Sequence, residues 1–101
     1  VDGADMTTPL ETFPEGDTLT AIALDLPFDV IVWDDPVTLM TVVTRVLMKV
    51  FAYPKQKAHR LMLAVHEEGR AVVWSGELNK AESYCVRLHA SGLLASVEPS
   101  S

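Results

Sequence analysis

Two short segments of the chain combine hydrogen-bond acceptors with flexible apolar side chains. The first contains Asp34, Asp35 and Met40, and the second contains Met62 and His66. An α-ammonium group presents three N–H donors, which carboxylates and a neutral imidazole can accept. A methionine side chain is unbranched and can repack around apolar groups of different shape. Together the segments predict a site that holds a free amino group beside a large apolar side chain, which is the chemistry of a protein's first residue.

Each of these residues also has an ordinary structural interpretation. An Asp-Asp-Pro sequence before a helix is most simply a turn and a cap, and a methionine is most often part of the core. A histidine near a helix end commonly bonds the last carbonyl groups. Composition alone therefore leaves the function undecided.

Two other functions remain open at this point. In one, Asp34, Asp35 and His66 are metal ligands or acid–base groups of a small enzyme. The enzyme is disfavoured because the sequence offers no nucleophile paired with a base, no phosphate-binding loop and no well-spaced fourth ligand. In the other, the chain is a purely structural interaction module that docks through the same helices without a pocket.

The negative charge of the chain is concentrated near its start. Of the 14 acidic residues, six lie within residues 1–26, which contain no Lys or Arg, so residues 27–101 hold eight acids against eight bases. At 101 residues there is room for one domain. We predict a disordered acidic arm at 1–26 and a core domain at 27–101. Nucleic acid is disfavoured as a partner, since no basic surface is available to displace counterions from phosphates.

The cysteine count and the hydropathy pattern indicate the cellular compartment of the protein. Cys85 is the only cysteine, so neither an intramolecular disulfide nor a thiolate zinc cluster can form. No apolar run approaches the roughly 18 residues of a membrane span, and the first residues lack the basic-then-apolar layout of a secretory signal. These features predict a cytoplasmic protein without a membrane partner, metal or cofactor.

Six segments carry a strand or helix pattern, in the order β-α-α-β-α-β. Strand segments are rich in β-branched and aromatic residues, and helix segments repeat apolar residues every three or four positions. They are a strand at 28–33, a helix between Pro36 and Tyr53-Pro54, a helix at 55–67, a strand at 70–74, a helix at 77–90 and a strand at 94–97. An α+β fold, with a three-stranded antiparallel sheet and helices packed on one face, buries all the apolar stripes.

Specific residues are expected at the helix ends. Thr38 is the favoured N-cap of the first helix, and Asp35 is the alternative. Because the residue before a proline avoids helical dihedral angles, Tyr53-Pro54 should end that helix. Gly69 and Gly92 should close the second and third helices.

The two acceptor-rich segments resemble the signature of the ClpS family. The family's first motif, Asn-Asp-Asp-x-Thr-x-Met, stands here as Asp-Asp-Pro-Val-Thr-Leu-Met at 34–40, preceded by Trp33 as in the Trp-Asp-Asp-Pro form of actinobacterial members. The second motif, Leu-Met-Leu-x-Val-His, is intact at 61–66 and is followed by Gly-Arg-Ala at 69–71. The resemblance covers residues 28–97. Family members bind substrates with bulky hydrophobic N-terminal residues and deliver them to a Clp-type AAA+ unfoldase.

The resemblance implies a role for each motif residue. Asp34, Asp35 and His66 would bind the α-amino group of an N-terminal Leu, Phe, Tyr or Trp. The side-chain pocket would be lined by Thr38, Met40, Met62, Val65 and Leu93. Met40 resembles the family residue that disfavours β-branched N-termini. Asp34 stands where the family usually has Asn, so it can accept from an ammonium group but, when ionised, cannot donate to a peptide carbonyl.

The resemblance also implies partners for the protein. It predicts a monomeric, non-enzymatic adaptor that binds N-terminal degron peptides and the N-terminal domain of the unfoldase. Glu77, Asn79 and Lys80 lie in the region where relatives contact the unfoldase. The acidic arm corresponds to the family's mobile N-terminal extension, which helps to hand substrates over.

Overall fold

Within residues 26–100, three β-strands and three α-helices follow one another in the predicted order β-α-α-β-α-β. The computed structural model describes residues 26–100, so the prediction of a disordered arm falls almost entirely outside the described residues. The elements are β1 (Phe28–Trp33), α1 (Met40–Phe51), α2 (Lys55–Glu68), β2 (Arg70–Gly76), α3 (Leu78–Ala90) and β3 (Leu94–Pro99).

The three strands form one antiparallel sheet in the order β2-β1-β3. The central strand, β1, pairs with both neighbours, and its last residue, Trp33, is opposite Arg70 of β2 and Leu94 of β3. The register with β2 shifts by one residue between Val30 and Ile31. The helices pack on one face, which confirms the predicted fold class.

A single apolar core lies between the sheet and the helices. Val30 and Val32 of the central strand are almost completely buried, as are Leu47 of α1 and Leu88 of α3. Full burial of such a side chain contributes about 1.5–3 kcal/mol. The helical spacing of apolar residues reflects contact with this core, as does the burial of Val30 and Val32 on the face of β1 that meets it.

The start of α1 differs from the prediction that Thr38 or Asp35 caps it. Leu39, in an extended conformation, is the N-cap, and no side chain caps the helix. The Asp35 carboxylate instead accepts the backbone N–H of Val37 at 3.0 Å and the Thr38 hydroxyl at 3.5 Å. Both side chains are therefore used to close the turn that precedes the helix, so the prediction of a cap was wrong.

The backbone conformations of a few residues determine where the other helices begin and end. α1 ends at Phe51 because Ala52 adopts a left-handed conformation (φ 58°), and Pro54 is the N-cap of α2 rather than the stop of α1. Gly69 (φ 89°) ends α2 as predicted, and Gly92 (φ 92°) follows the last turn of α3. β2 and β3 are each two residues longer than predicted, since they pair with β1 along its whole length.

Asp29 connects all three strands at the end of the sheet where β1 begins. Its carboxylate accepts hydrogen bonds from the hydroxyl groups of Ser75, in β2, and Ser100, which follows β3. Both bonds lower the pKa of Asp29 below its ordinary value of 3.8, and the bond from Ser100 has the larger effect. The ionised carboxylate therefore stabilises the folded state at pH values above that ordinary value, and this contribution disappears as the pH falls through the lowered pKa.

We predict that Asp29→Asn lowers the free energy of unfolding at pH 7 by about 0.5–1 kcal/mol, a small value because the group is largely solvated. The difference from the wild type should shrink below about pH 4, where the unfolded carboxyl group becomes protonated. Urea unfolding of both proteins at pH 7, 4 and 3 measures this difference in the free energy of unfolding. Glu82→Gln, on the exposed side of α3, is the control. A difference that is the same at all three pH values would contradict the prediction.

Candidate functional site

A recess opens at the end of the sheet where β1 ends, between the start of α1, the end of α2 and the start of β3. The cavity itself is small, about 10 Å³, and the space of about 300 Å³ between its walls includes open solvent. The residues lining it are Trp33, Asp34, Asp35, Thr38, Met40, Val43, Met62, Val65, His66, Leu93 and Leu94. All eight residues predicted to bind substrate are among them, so the structure brings the two motifs together.

One backbone hydrogen bond joins the two motifs directly. The N–H of Asp34, just after β1, donates to the carbonyl of Gly69 at 2.9 Å. Gly69 is the C-cap of α2, and its own N–H donates to the carbonyl of Val65. Because His66 lies in the last turn of α2, this arrangement places its ring beside the side chain of Asp34.

The mouth of the recess is polar and solvent-exposed. Asp34 Oδ1 and His66 Nδ1 are 3.8 Å apart, and the two side chains are 39% and 55% exposed. This separation is longer than a hydrogen bond, so both groups can accept hydrogen bonds from a ligand. Asp35, half-buried nearby, accepts two bonds from its own turn, yet a carboxylate has about four acceptor positions.

The floor of the recess is apolar. Val43, Met62, Val65 and Leu93 are all at least nine-tenths buried there, whereas Met40 is 46% exposed on the wall. Met62, Val65 and His66 share one surface of α2, because residues three and four apart are neighbours on a helix. That surface therefore joins the apolar floor to the polar mouth, as the sequence predicted.

The sequence and the fold of the chain are similar to those of known proteins. The family model of the ATP-dependent Clp protease adaptor protein ClpS matches residues 24–96. The chain belongs to the ClpS family. A ClpS adapter protein of Nocardia farcinica is 51% identical over 87 residues, which are 84% of this chain and 82% of the relative. A ClpS adapter protein of Corynebacterium efficiens is 46% identical over 84 residues, or 83% of each chain.

The fold also matches a solved ClpS structure. The structure of Agrobacterium tumefaciens ClpS2 bound to L-phenylalaninamide superimposes with a TM-score of 0.66 at 27% identity, and covers 74% of this chain and 98% of that chain. The resemblance to the ClpS family is thereby confirmed, as is the predicted function of an adaptor that serves a Clp protease.

Three residues of the recess were missed at the sequence level, namely Trp33, Val43 and Leu94. Val43 follows Met40 by one helical turn, so helical spacing could have indicated it. Leu94 follows Leu93 directly. Trp33 was placed at the strand end beside the first motif but not in the pocket, although a tryptophan that precedes two acidic residues at a strand end is a good candidate for a binding surface.

The residues predicted to contact the unfoldase lie elsewhere. Glu77 is the N-cap of α3, and Asn79 and Lys80 are exposed in its first turn. Gly76, just before them, pairs with Phe28 at the beginning of β1, whereas the recess lies beyond Trp33 at the other end. A six-residue strand is about 20 Å long, so these residues and the recess occupy opposite ends of the sheet.

In the part of the chain that the structure describes, the other reactive groups give no sign of a second polar site. Burial raises the pKa of the Cys85 thiol, with a smaller effect from Glu82, and a buried thiol of this kind is unreactive. Within residues 26–100, no group of three or more His, Cys, Asp or Glu residues could hold a metal ion. No helix in the same range is long and apolar enough to cross a membrane.

The left-handed conformation of Gly69 should be required for the contact between the motifs. A Cβ atom at Gly69 would meet no neighbouring atom, so the cost of Gly69→Ala is conformational and should be about 1 kcal/mol. Gly69→Asn should restore most of that loss, since Asn tolerates this conformation. Thermal unfolding of the wild type, Gly69→Ala and Gly69→Asn measures these differences in stability. An equal loss of stability in both variants would contradict the prediction.

Proposed function

We propose that the recess binds the free α-amino group and the bulky hydrophobic side chain of an N-terminal Leu, Phe, Tyr or Trp, and that the chain delivers such substrates to a Clp-type AAA+ unfoldase. One observation carries the proposal, namely that the acceptors of Asp34 and His66 lie at the edge of an apolar recess. In this role the chain is an adaptor and not an enzyme.

The spacing of the acceptors suits an ammonium group. Charge-assisted N–H···O bonds are about 2.8 Å long, so two acceptors of one tetrahedral nitrogen lie about 4.6 Å apart. Asp34 and His66 are 3.8 Å apart, and a small outward movement of either exposed side chain would reach that distance. Asp35 supplies the third acceptor. A neutral His66 is required, because an imidazolium can only donate.

The apolar floor accounts for selection of the side chain. Burial of one large apolar side chain contributes about 1.5–3 kcal/mol, and loss of one partner of a buried charged hydrogen bond costs about 2–5 kcal/mol. After the entropic costs of ordering both partners are subtracted, we expect a dissociation constant of about 1 μM. This corresponds to a free energy of binding of about −8 kcal/mol.

The ligand of the related ClpS2 structure has the same chemistry. L-phenylalaninamide carries a free α-amino group, an aromatic side chain and an amide in place of a carboxylate, so it imitates an N-terminal phenylalanine followed by a peptide bond. This supports the assignment of the recess in the present chain.

Delivery requires a second contact, for which Glu77, Asn79 and Lys80 are our candidates. They are exposed and lie at the end of the sheet away from the recess, so the substrate and the N-terminal domain of the unfoldase could bind at the same time. We propose that the adaptor acts as a cytoplasmic monomer, with residues 1–26 as a separate acidic arm.

Peptides that begin with Phe or Leu should bind, and their N-acetylated copies should not. Acetylation removes the positive charge and two of the three donors, so the affinity should fall at least about 30-fold, which corresponds to ~2 kcal/mol. Fluorescence anisotropy of C-terminally labelled peptides measures this. Equal binding of free and acetylated peptides would overturn the proposed function.

His66→Ala and Met62→Ala should each weaken binding of the free peptide, by about tenfold or more, since one removes an acceptor and the other part of the floor. His59→Ala is the matched control, because His59 is exposed on the same helix outside the recess. Circular dichroism establishes that each variant is folded. Unchanged affinity in both folded variants would place the binding site elsewhere.

Lys80→Glu should weaken binding to the isolated N-terminal domain of the unfoldase by about tenfold, because reversal of a charge at an interface introduces repulsion. Its affinity for the Phe peptide should stay unchanged. The same two titrations with Lys57→Glu, a charge reversal on α2, provide the control. Wild-type affinity of Lys80→Glu for the unfoldase domain would remove Lys80 from the proposed contact.

A further inference from the structure

Trp33 is a large apolar side chain that stays 37% exposed at the mouth of the recess. Its indole N–H donates to the hydroxyl of Ser96 in β3 at 2.9 Å. The guanidinium of Arg70 in β2 lies 5.1 Å from the centre of the indole ring, within the range of a cation–π contact. Arg70 is in turn 3.8 Å from the carboxylate of Glu98 in β3. Both neighbouring strands therefore fix the orientation of the exposed ring.

Leu94 extends the same apolar surface. It is opposite Trp33 in the register of β1 and β3, and residues paired across two strands have their side chains on the same face of the sheet. Leu94 is 51% exposed and also lines the recess. An exposed aromatic ring that is already immobilised loses little conformational entropy on binding, so the pair is prepared for contact with an apolar group.

The position of Trp33 in the chain determines what it can reach. It directly precedes Asp34, one of the groups proposed to hold the α-amino group of the ligand. Consecutive Cα atoms are 3.8 Å apart in any peptide chain. A ligand held at its α-amino group by Asp34 therefore has its second residue one Cα step farther along, at the mouth of the recess, where Trp33 and Leu94 are exposed apolar side chains of the lining.

We propose that Trp33 and Leu94 form a second subsite, which contacts the side chain of the residue after the N-terminal residue and favours an apolar one. This inference rests on the proposed function of the recess and adds a preference at the second position. An acidic second residue is disfavoured, because the nearby carboxylates of Asp34 and Glu98 repel it and Arg70 is already paired with Glu98.

The test compares peptides that begin Phe-Ala, Phe-Leu and Phe-Asp and are otherwise identical. If about half of the additional carbon surface of Leu is buried, Phe-Leu should bind about fivefold more tightly than Phe-Ala, and Phe-Asp should bind more weakly than Phe-Ala. In Trp33→Ala the ratio between Phe-Leu and Phe-Ala should fall below about twofold. Trp74→Phe, which changes the other tryptophan away from the recess, should keep the wild-type ratio.

Two further measurements do not depend on the folding of Trp33→Ala. Ser96→Ala removes the bond that orients the indole and should reduce the Phe-Leu to Phe-Ala ratio. In Trp74→Phe, Trp33 is the only remaining tryptophan, and its fluorescence should change more with Phe-Leu than with Phe-Ala at saturation.

The outcomes separate this inference from the proposed function. Binding of Phe-Ala and Phe-Leu with equal affinity would overturn the second subsite and leave the recess assignment intact. A wild-type ratio in folded Trp33→Ala and in Ser96→Ala would also overturn it. If no free Phe peptide binds, the proposed function fails and the second subsite fails with it.

Discussion

The backbone hydrogen bond from Asp34 to Gly69 is the constraint on which the site depends. It joins the residue that leaves the central strand to the residue that ends α2. Both motifs are short and lie about 30 positions apart in the sequence, so neither can form a pocket alone. The bond requires Gly69 in a left-handed conformation (φ 89°), which explains why a glycine follows the second motif.

The central position of β1 separates the two ends of the molecule. Its last residue leads into the recess, and its first residues pair with the end of β2, next to Glu77 at the start of α3. Asp29 links the three strands near that second end. A sheet of three paired strands is a stiff support. It can therefore hold the recess at a fixed distance from the proposed unfoldase-binding surface at its other end.

The recess is continuous with the hydrophobic core, which limits how it can change. Met62, Val65 and Leu93 belong to the core cluster and also form the floor of the recess. Their positions are set by packing against the sheet and the other helices, since interiors are close-packed and tolerate little displacement. The exposed groups, Asp34, His66 and Met40, remain free to adjust to a ligand. A close-packed floor that includes the adaptable side chain of Met62, together with an exposed mouth, suits recognition of several large side chains by one pocket.

Much of the fold was determined by the sequence itself, because apolar periodicity reports which face of each element meets the core. The order of elements, the closing glycine of α2 and the eight recess residues were all predicted from pattern and family resemblance. The N-cap of α1 was predicted wrongly, since Asp35 and Thr38 can bond either to a helix or to the turn before it, and local sequence does not decide between them. Only the tertiary structure placed Trp33, whose ring is held by Ser96 and Arg70 on two other strands, with Arg70 in turn near Glu98. Contacts between residues distant in sequence depend on strand register, which a single sequence does not reveal.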